Sequence, residues 1–315
     1  MLRVFYNSET EIVKAEGEDC FQHVPLNKIV WIDLQFPSEG EMRKVENTCK
    51  IDFNQLKSEN KLESNARFYE SEDIIFISAN FIILRENHFT SAPVFFYLLG
   101  NTLITERHAD LASFAETTKK IKRNRKVFQS GSDVLEGILE TKFDVDADFI
   151  EEMAKNIALA GRSLSLKKAA DMESLLLKIS DYQEAATLTR ESFIDKQRVA
   201  SALLKSNIFQ NKARLKILMN DISAMLEYTS FIFIRLEYLQ NTLLGLINIE
   251  QNKTIKIFTI VAVVFMPPTL IASIYGMNFK SMPELTWNFG YPLAILLIVG
   301  SSMLTLFLFK RKKWL

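Results

Sequence analysis

Hydrophobic and polar positions divide the chain into a mixed N-terminal part and an apolar C-terminal part. Two runs near the C-terminus, residues 257–279 and 285–309, hold 23 and 25 residues without an ionisable side chain. A membrane-spanning helix needs roughly 20 mostly apolar residues, and the core helix of a soluble protein rarely stays uncharged for so long. The pattern therefore predicts two transmembrane helices, which we place at residues 254–275 and 290–309.

The first 105 residues alternate between short apolar runs and polar stretches. Runs at 29–34, 74–84, 94–99 and 102–105 predict strands. Between the last two runs, the Gly100-Asn101 pair predicts a two-residue hairpin turn. We therefore predict a cytoplasmic α/β domain over residues 1–130.

Helix-breaking residues are scarce in the middle of the chain. No proline occurs between Pro93 and Pro267, and only five glycines do, which favours long helices. We predict helices at 111–127, 132–159 and 164–207, and a last helix from about residue 210 to residue 275. Residues 131–253 are thus assigned to long helices and a stalk. The predicted fold is an α+β membrane protein: an N-terminal α/β cytoplasmic domain, a long stalk helix and two C-terminal transmembrane helices.

Charge is distributed unevenly and sets the orientation in the membrane. From residue 253 onward seven basic residues face one acidic residue, a net charge of +6, whereas residues 1–252 hold 31 basic and 37 acidic residues, a net charge of −6. Basic side chains flank the two apolar runs, and such flanks stay in the cytoplasm. Both chain ends are therefore predicted to be cytoplasmic, with residues 276–289 exported as a periplasmic loop and residues 310–315 forming a basic tail.

Acidic residues are concentrated between residues 133 and 152, where eight of them face a single base, Lys142. Glu140, Asp144, Asp148 and Glu151 share one helix face by their spacing. Two interpretations stay open: a solvated helix face, or a surface whose negative potential attracts cations.

Motifs of soluble enzymes are missing from the sequence. There is no Gly-rich phosphate loop, no HExxH and no CxxC, and the three histidines are scattered. The six basic residues between 119 and 126 have no interleaved aromatics, which is a weak signal for nucleic acid. We expect neither an enzyme, nor an organic cofactor, nor a nucleic-acid partner.

The first apolar run carries a stripe of small or polar side chains on one helix face. The opposite face, which includes Ile260 and Val264, suits lipid. Two helices cannot enclose an aqueous path, so a pore along the stripe requires a cyclic oligomer. The stripe consists of Thr259, Ala262 or Val263, Met266, Thr269, Ser273 and Gly276.

At the outer end of this stripe the sequence resembles a known family. The triplet Gly276-Met277-Asn278, the later Met-Pro-Glu-Leu at 282–285 and the terminal basic run are similar to the CorA family of Mg²⁺ channels. The resemblance is most specific over residues 248–315, and the length and order of elements match the enterobacterial kind of CorA.

The resemblance implies a homopentameric funnel in the bacterial inner membrane, gated by cytoplasmic Mg²⁺. Asn278 would form an outer ring of amide oxygens and Asn252 an inner polar ring, while Ile255 and Phe258 would form a hydrophobic constriction. Glu284 in the exported loop would concentrate cations. A basic collar at the cytoplasmic rim, or plain anchoring of the helices, accounts for Lys256, Lys310, Arg311, Lys312 and Lys313.

Met277 within the triplet favours Mg²⁺, with Co²⁺ and Ni²⁺ as secondary substrates. The alternatives are a Zn²⁺ transporter of the same superfamily and a membrane-anchored sensor that conducts nothing. The regulatory metal sites of the family cannot be matched to residues of this chain.

Overall fold

The computed structural model describes residues 1–8, 11–17, 20–62, 67–85, 88–163, 169–209, 212–277, 282–283 and 287–312. The chain divides into two compact units. The first consists of Met1–Lys167 and Glu173–Gln240, and the second consists of Lys168–Met172 and Asn241–Leu315.

The first unit is built on one seven-stranded sheet, in the order β2-β1-β3-β7-β6-β5-β4. All neighbouring strands are antiparallel except β3 and β7, which run parallel. The strands are β1 (Leu2–Asn7), β2 (Ile12–Glu16), β3 (Ile29–Gln35), β4 (Phe68–Glu70), β5 (Ile74–Arg85), β6 (His88–Leu99) and β7 (Thr102–Arg107).

The predicted hairpin between β6 and β7 is confirmed. Leu99 pairs with Thr102 across the turn, and Gly100 has a φ of 51°, a conformation that glycine adopts without steric cost. The parallel pair β3 and β7 holds a buried ion pair: Arg107 donates to the Asp33 carboxylate through Nε at 3.1 Å and Nη2 at 3.0 Å. A bidentate contact of this kind satisfies both buried charges.

Helices complete both units. Three short helices lie between strands in the first 62 residues, and longer ones follow β7. The breaker-free interval is helical as predicted, although residues 164–168, where we expected the third helix to begin, lie outside the described residues. The helices are α1 (Cys20–His23), α2 (Glu39–Cys49), α3 (Phe53–Leu62), α4 (Ala112–Arg123), α5 (Gly131–Ser163), α6 (Ala169–Lys205), α7 (Lys212–Tyr275) and α8 (Gly290–Arg311).

The acidic stretch on α5 is not one uniform surface. Asp144, Asp148 and Glu151 are exposed, and Asp144 lies 3.5 Å from the Lys120 ammonium. Asp146, however, is 3% exposed and takes no part in a solvated face. The sequence does not predict this burial, because Lys196, one of the two lysine partners of Asp146, lies on another helix.

The two candidate membrane spans are α7, whose residues from Asn241 onward belong to the second unit, and α8. In their most apolar windows only 11% and 0% of the residues are buried. A core helix of a soluble protein would be mostly buried instead. The exposed apolar surface therefore agrees with two spans that face lipid or other subunits.

Candidate ion pathway

One face of α7 in the second unit is less exposed than the rest of the helix, and we infer that α8 of the same chain covers it. The less exposed positions of α7 include Ile260, Val264, Pro268 and Ile271, which recur at three and four spacing. The matching positions of α8 include Ala294, Ile298, Ser302 and Thr305. Near the outer end both helices line one cavity of about 430 Å³, with Tyr275 on α7 and Ala294 on α8 among its walls.

This contact corrects the face that we assigned to lipid. Ile260 and Val264 are half-buried, because α8 packs where the sequence pattern left room for lipid. Ile257, Val261 and Phe265 remain exposed. Apolar residues against lipid and apolar residues against a second helix have the same composition, so the pattern could not separate them.

The polar stripe lies on the side of α7 that faces away from α8, counted at about 100° per residue. Phe258 and Met266 are 71% and 66% exposed. Asn252, Thr259, Ala262, Thr269 and Ser273 are exposed as well, whereas Val263 is half-buried at the edge of the stripe. From Asn252, the predicted inner ring, to Gly276 at the outer end of the stripe, α7 rises about 36 Å, more than the hydrocarbon layer of about 30 Å.

Two threonines give the stripe its hydrogen-bonding character. Thr259 Oγ1 donates to the Ile255 carbonyl at 2.8 Å, and Thr269 Oγ1 donates to the Phe265 carbonyl at 2.7 Å. Each hydroxyl proton is thereby used inside the helix, and the oxygen keeps its lone pairs for an outside donor. The stripe thus presents neutral acceptors, which suits the water shell of a cation.

Two consecutive prolines interrupt the hydrogen bonds of α7. Pro267 and Pro268 lack the N–H groups that would reach the carbonyls of Val263 and Val264. In a span, such carbonyls are tolerated where a neighbouring helix or water is at hand. Pro268 is buried on the side covered by α8.

At its outer end α7 stops at Tyr275. The Gly276 amide still donates to the Ala272 carbonyl at 2.9 Å and the Met277 amide to the Ile274 carbonyl at 3.2 Å, so the first two members of the triplet continue the last turn. Asn278, Glu284 and Lys313 lie outside the described residues. Of the predicted basic collar, Lys256, Lys310, Arg311 and Lys312 are all exposed.

A sequence model of the family described as "CorA-like Mg²⁺ transporter protein" matches residues 27–311, most of the chain. The chain belongs to the CorA family. This CorA chain is 35% identical to the magnesium transport protein CorA of Wolinella succinogenes, a match that covers 100% of both chains. Its identity to the magnesium transport protein CorA of Escherichia coli K12 is 31%, again over 100% of both chains. The chain is thus similar to an enterobacterial CorA, as predicted, but the similarity is not specific to the enterobacterial members of the family.

Among solved structures, the complete CorA magnesium transporter of Methanocaldococcus jannaschii has a TM-score of 0.80 to this CorA chain at 21% identity, and the match covers 100% of this chain and 99% of that one. The predicted fold of an α/β domain, a long stalk helix and two C-terminal spans is therefore confirmed. Within the described ranges, no group of three or more His, Cys, Asp or Glu side chains is placed to hold a metal ion. The regulatory metal ligands stay unassigned.

Proposed function

We propose that this CorA chain is one subunit of a homopentameric channel that admits Mg²⁺ to the cytoplasm across the bacterial inner membrane. The observation that carries the proposal is the exposed polar stripe on α7, which faces away from α8. One subunit supplies a single such face, so an aqueous path needs several copies around an axis. The names of the Wolinella and Escherichia relatives, both magnesium transport proteins, support the choice of ion.

Neutral acceptors explain how such a path passes Mg²⁺. The ion gives up its water shell reluctantly, so amide and hydroxyl oxygens would hydrogen-bond to the shell rather than replace it. Asn278 forms the outer ring, Thr269 and Met266 line the middle, and Asn252 forms the inner ring. An uncharged wall holds the ion weakly enough for it to leave.

The remaining assignments refine this pathway. Ile255 and Phe258, 53% and 71% exposed in one chain, form the hydrophobic constriction once five copies meet. Glu284 attracts cations to the mouth, and the basic collar of Lys256 with residues 310–313 marks the cytoplasmic rim. Cytoplasmic Mg²⁺ closes the channel, and Co²⁺ and Ni²⁺ are secondary substrates. The domain limits given above, with spans at 254–275 and 290–309, belong to the same proposal.

The test is Mg²⁺ influx into proteoliposomes that hold a Mg²⁺-sensitive dye and an inside-negative potential. We expect potential-dependent influx that hexammine-cobalt blocks, and its loss in Asn278→Ala while the oligomer still assembles. Asn288→Ala removes the same amide from the same loop, at a position outside the stripe, and should leave influx unchanged. Normal influx in Asn278→Ala would remove the outer ring from the proposal. Zn²⁺ flux driven by a pH gradient, without Mg²⁺ influx, would assign the chain to the zinc transporters.

A further inference from the structure

The first unit contains a buried cluster of charges between α5 and α6. The Asp146 carboxylate accepts from the Lys142 ammonium on its own helix and from the Lys196 ammonium at 2.8 Å. The side chains of Lys142, Asp146 and Lys196 are 4%, 4% and 1% exposed. Two buried cations therefore share one anion, and one positive charge is left over.

No other carboxylate among the described residues lies within ion-pair distance of either lysine. The ring of Phe81 is 5.5 Å from both ammonium groups, and an aromatic face compensates only part of a charge. Burial lowers the pKa of Lys142, and Asp146 opposes that effect. An excess of buried positive charge is costly unless an anion lies near it.

A cavity of about 260 Å³ lies next to the cluster, and Ser192 belongs to both. Ser192 Oγ accepts from the Lys196 ammonium and lies 3.2 Å from Asp146 Oδ2. Its other acceptor, the Asn80 carbonyl, is 3.5 Å away, at the limit of a hydrogen bond. Ser192 therefore connects the buried charges to the cavity wall, to which Asn80 also belongs.

The charged groups that line the cavity balance one another, two cations against two carboxylates, so the excess of positive charge comes from the cluster behind Ser192. Arg67 is paired with Asp195 at 3.1 Å. Arg198 makes no ion pair within the described part of the chain, and Glu191 is exposed. Together with the cluster, the walls hold four cations against three carboxylates.

We propose that the cavity beside Ser192 binds a small oxyanion of the phosphate type, held by the Ser192 hydroxyl, Arg198 and the field of the two buried lysines. The cavity is somewhat smaller than the roughly 300–1,000 Å³ of sites for drug-sized ligands, which fits a single ion better than a whole nucleotide. This binding is separate from transport and does not rest on the pathway through α7.

The test is isothermal titration of the full chain, purified in detergent without Mg²⁺, with sodium phosphate at constant ionic strength. We expect saturable binding of one phosphate per chain and none of chloride. Ser192→Ala should weaken binding about tenfold, because a hydrogen bond to a charged group is lost. Arg198→Gln, at an exposed position that leaves the fold intact, should weaken it about three- to fivefold.

The matched control is Lys205→Gln, which removes one exposed positive charge from the same helix outside the cavity and should leave binding unchanged. Absence of saturable phosphate binding would overturn the proposal, as would equal weakening in Lys205→Gln and Arg198→Gln. Binding of ATP tighter than that of phosphate would overturn the assignment to a small ion.

Discussion

Polar groups are used in opposite ways in the two units of this protein. In the first unit, Asp146 and Lys196 carry full charges, are buried and have close partners. On α7 in the second unit, Thr259 and Thr269 are neutral and exposed, and among the described residues each donates only to its own helix. Charges in a poorly solvated interior interact strongly and fix a structure, whereas neutral acceptors hold a hydrated cation loosely. The comparison predicts that changes in the cluster affect folding and that changes in the stripe affect conduction.

The largest effect is expected from Asp146→Asn. The substitution leaves two buried ammonium groups without an anion, which should lower the free energy of unfolding by about 3–5 kcal/mol. Urea unfolding of the full chain in detergent, followed by tryptophan fluorescence, measures the change. Lys142→Met removes the excess cation and leaves one pair, so it should cost less than about 1 kcal/mol. Equal losses in the two variants would contradict the charge count of the cluster.

A second carboxylic acid on α5, Glu136, differs from Asp146 in the direction of its pKa shift. The expected effect is smaller and is measured as a dependence of stability on pH. Burial raises the pKa of Glu136 to about 8, with Arg214 acting against it and Asp133 and Glu140 adding to it. At Asp146 burial acts in the same direction, but Lys196 and Lys142 bring the pKa below its ordinary value. The two carboxyls should therefore be in opposite protonation states at neutral pH.

The sign of the resulting pH dependence follows from linkage. Unfolded Glu136 loses its proton near pH 4.5 and folded Glu136 near pH 8, so its contribution to stability is full below pH 4.5 and is lost as the pH rises towards 8. Glu136→Gln removes the titrating group and should therefore reduce the change of the urea unfolding midpoint with pH across this range. An unchanged slope in the variant would show that Glu136 is already ionised in the folded protein.

The smallest effect is expected from Thr269→Val, which removes one neutral acceptor from the stripe and keeps the shape. Mg²⁺ influx in proteoliposomes should fall about two- to tenfold, the value of one hydrogen bond, with unfolding unchanged. Thr305→Val on α8 is the matched control, because Thr305 also donates to its own helix, to the Ser301 carbonyl at 2.8 Å, but on the side that packs on α7. Equal losses of influx in both variants would place the pathway elsewhere.

The sequence predicted the features that depend on local pattern. The charge-free runs located α7 and α8, and the lack of breakers indicated the long helices. The same pattern does not predict strands β1 and β2, because β1 mixes Arg3 and Asn7 with its apolar residues and β2 has only five residues. Short strands with interior polar positions carry little periodicity.

The cluster around Asp146 was beyond local pattern for a different reason. Lys142 and Asp146 are four residues apart and read as an ordinary exposed pair, while Lys196 is 50 residues further along the chain. Burial of the pair follows from the packing of α5 against α6 and Phe81, which a single sequence does not reveal. A single sequence likewise does not reveal which face of α8 packs on α7, because its contact face and its lipid face have nearly the same composition.

The pair of prolines in α7 has a mechanical consequence. A helix resists bending because backbone hydrogen bonds connect each turn to the next. At Pro267 and Pro268 two successive hydrogen bonds are missing. The bending stiffness of α7 is therefore lowest at this point. Thr269 and Ser273 lie on the short segment of the helix that follows the prolines. A small force at the Gly-Met-Asn end therefore displaces these two residues more easily than it displaces Thr259 or Asn252, which precede the prolines.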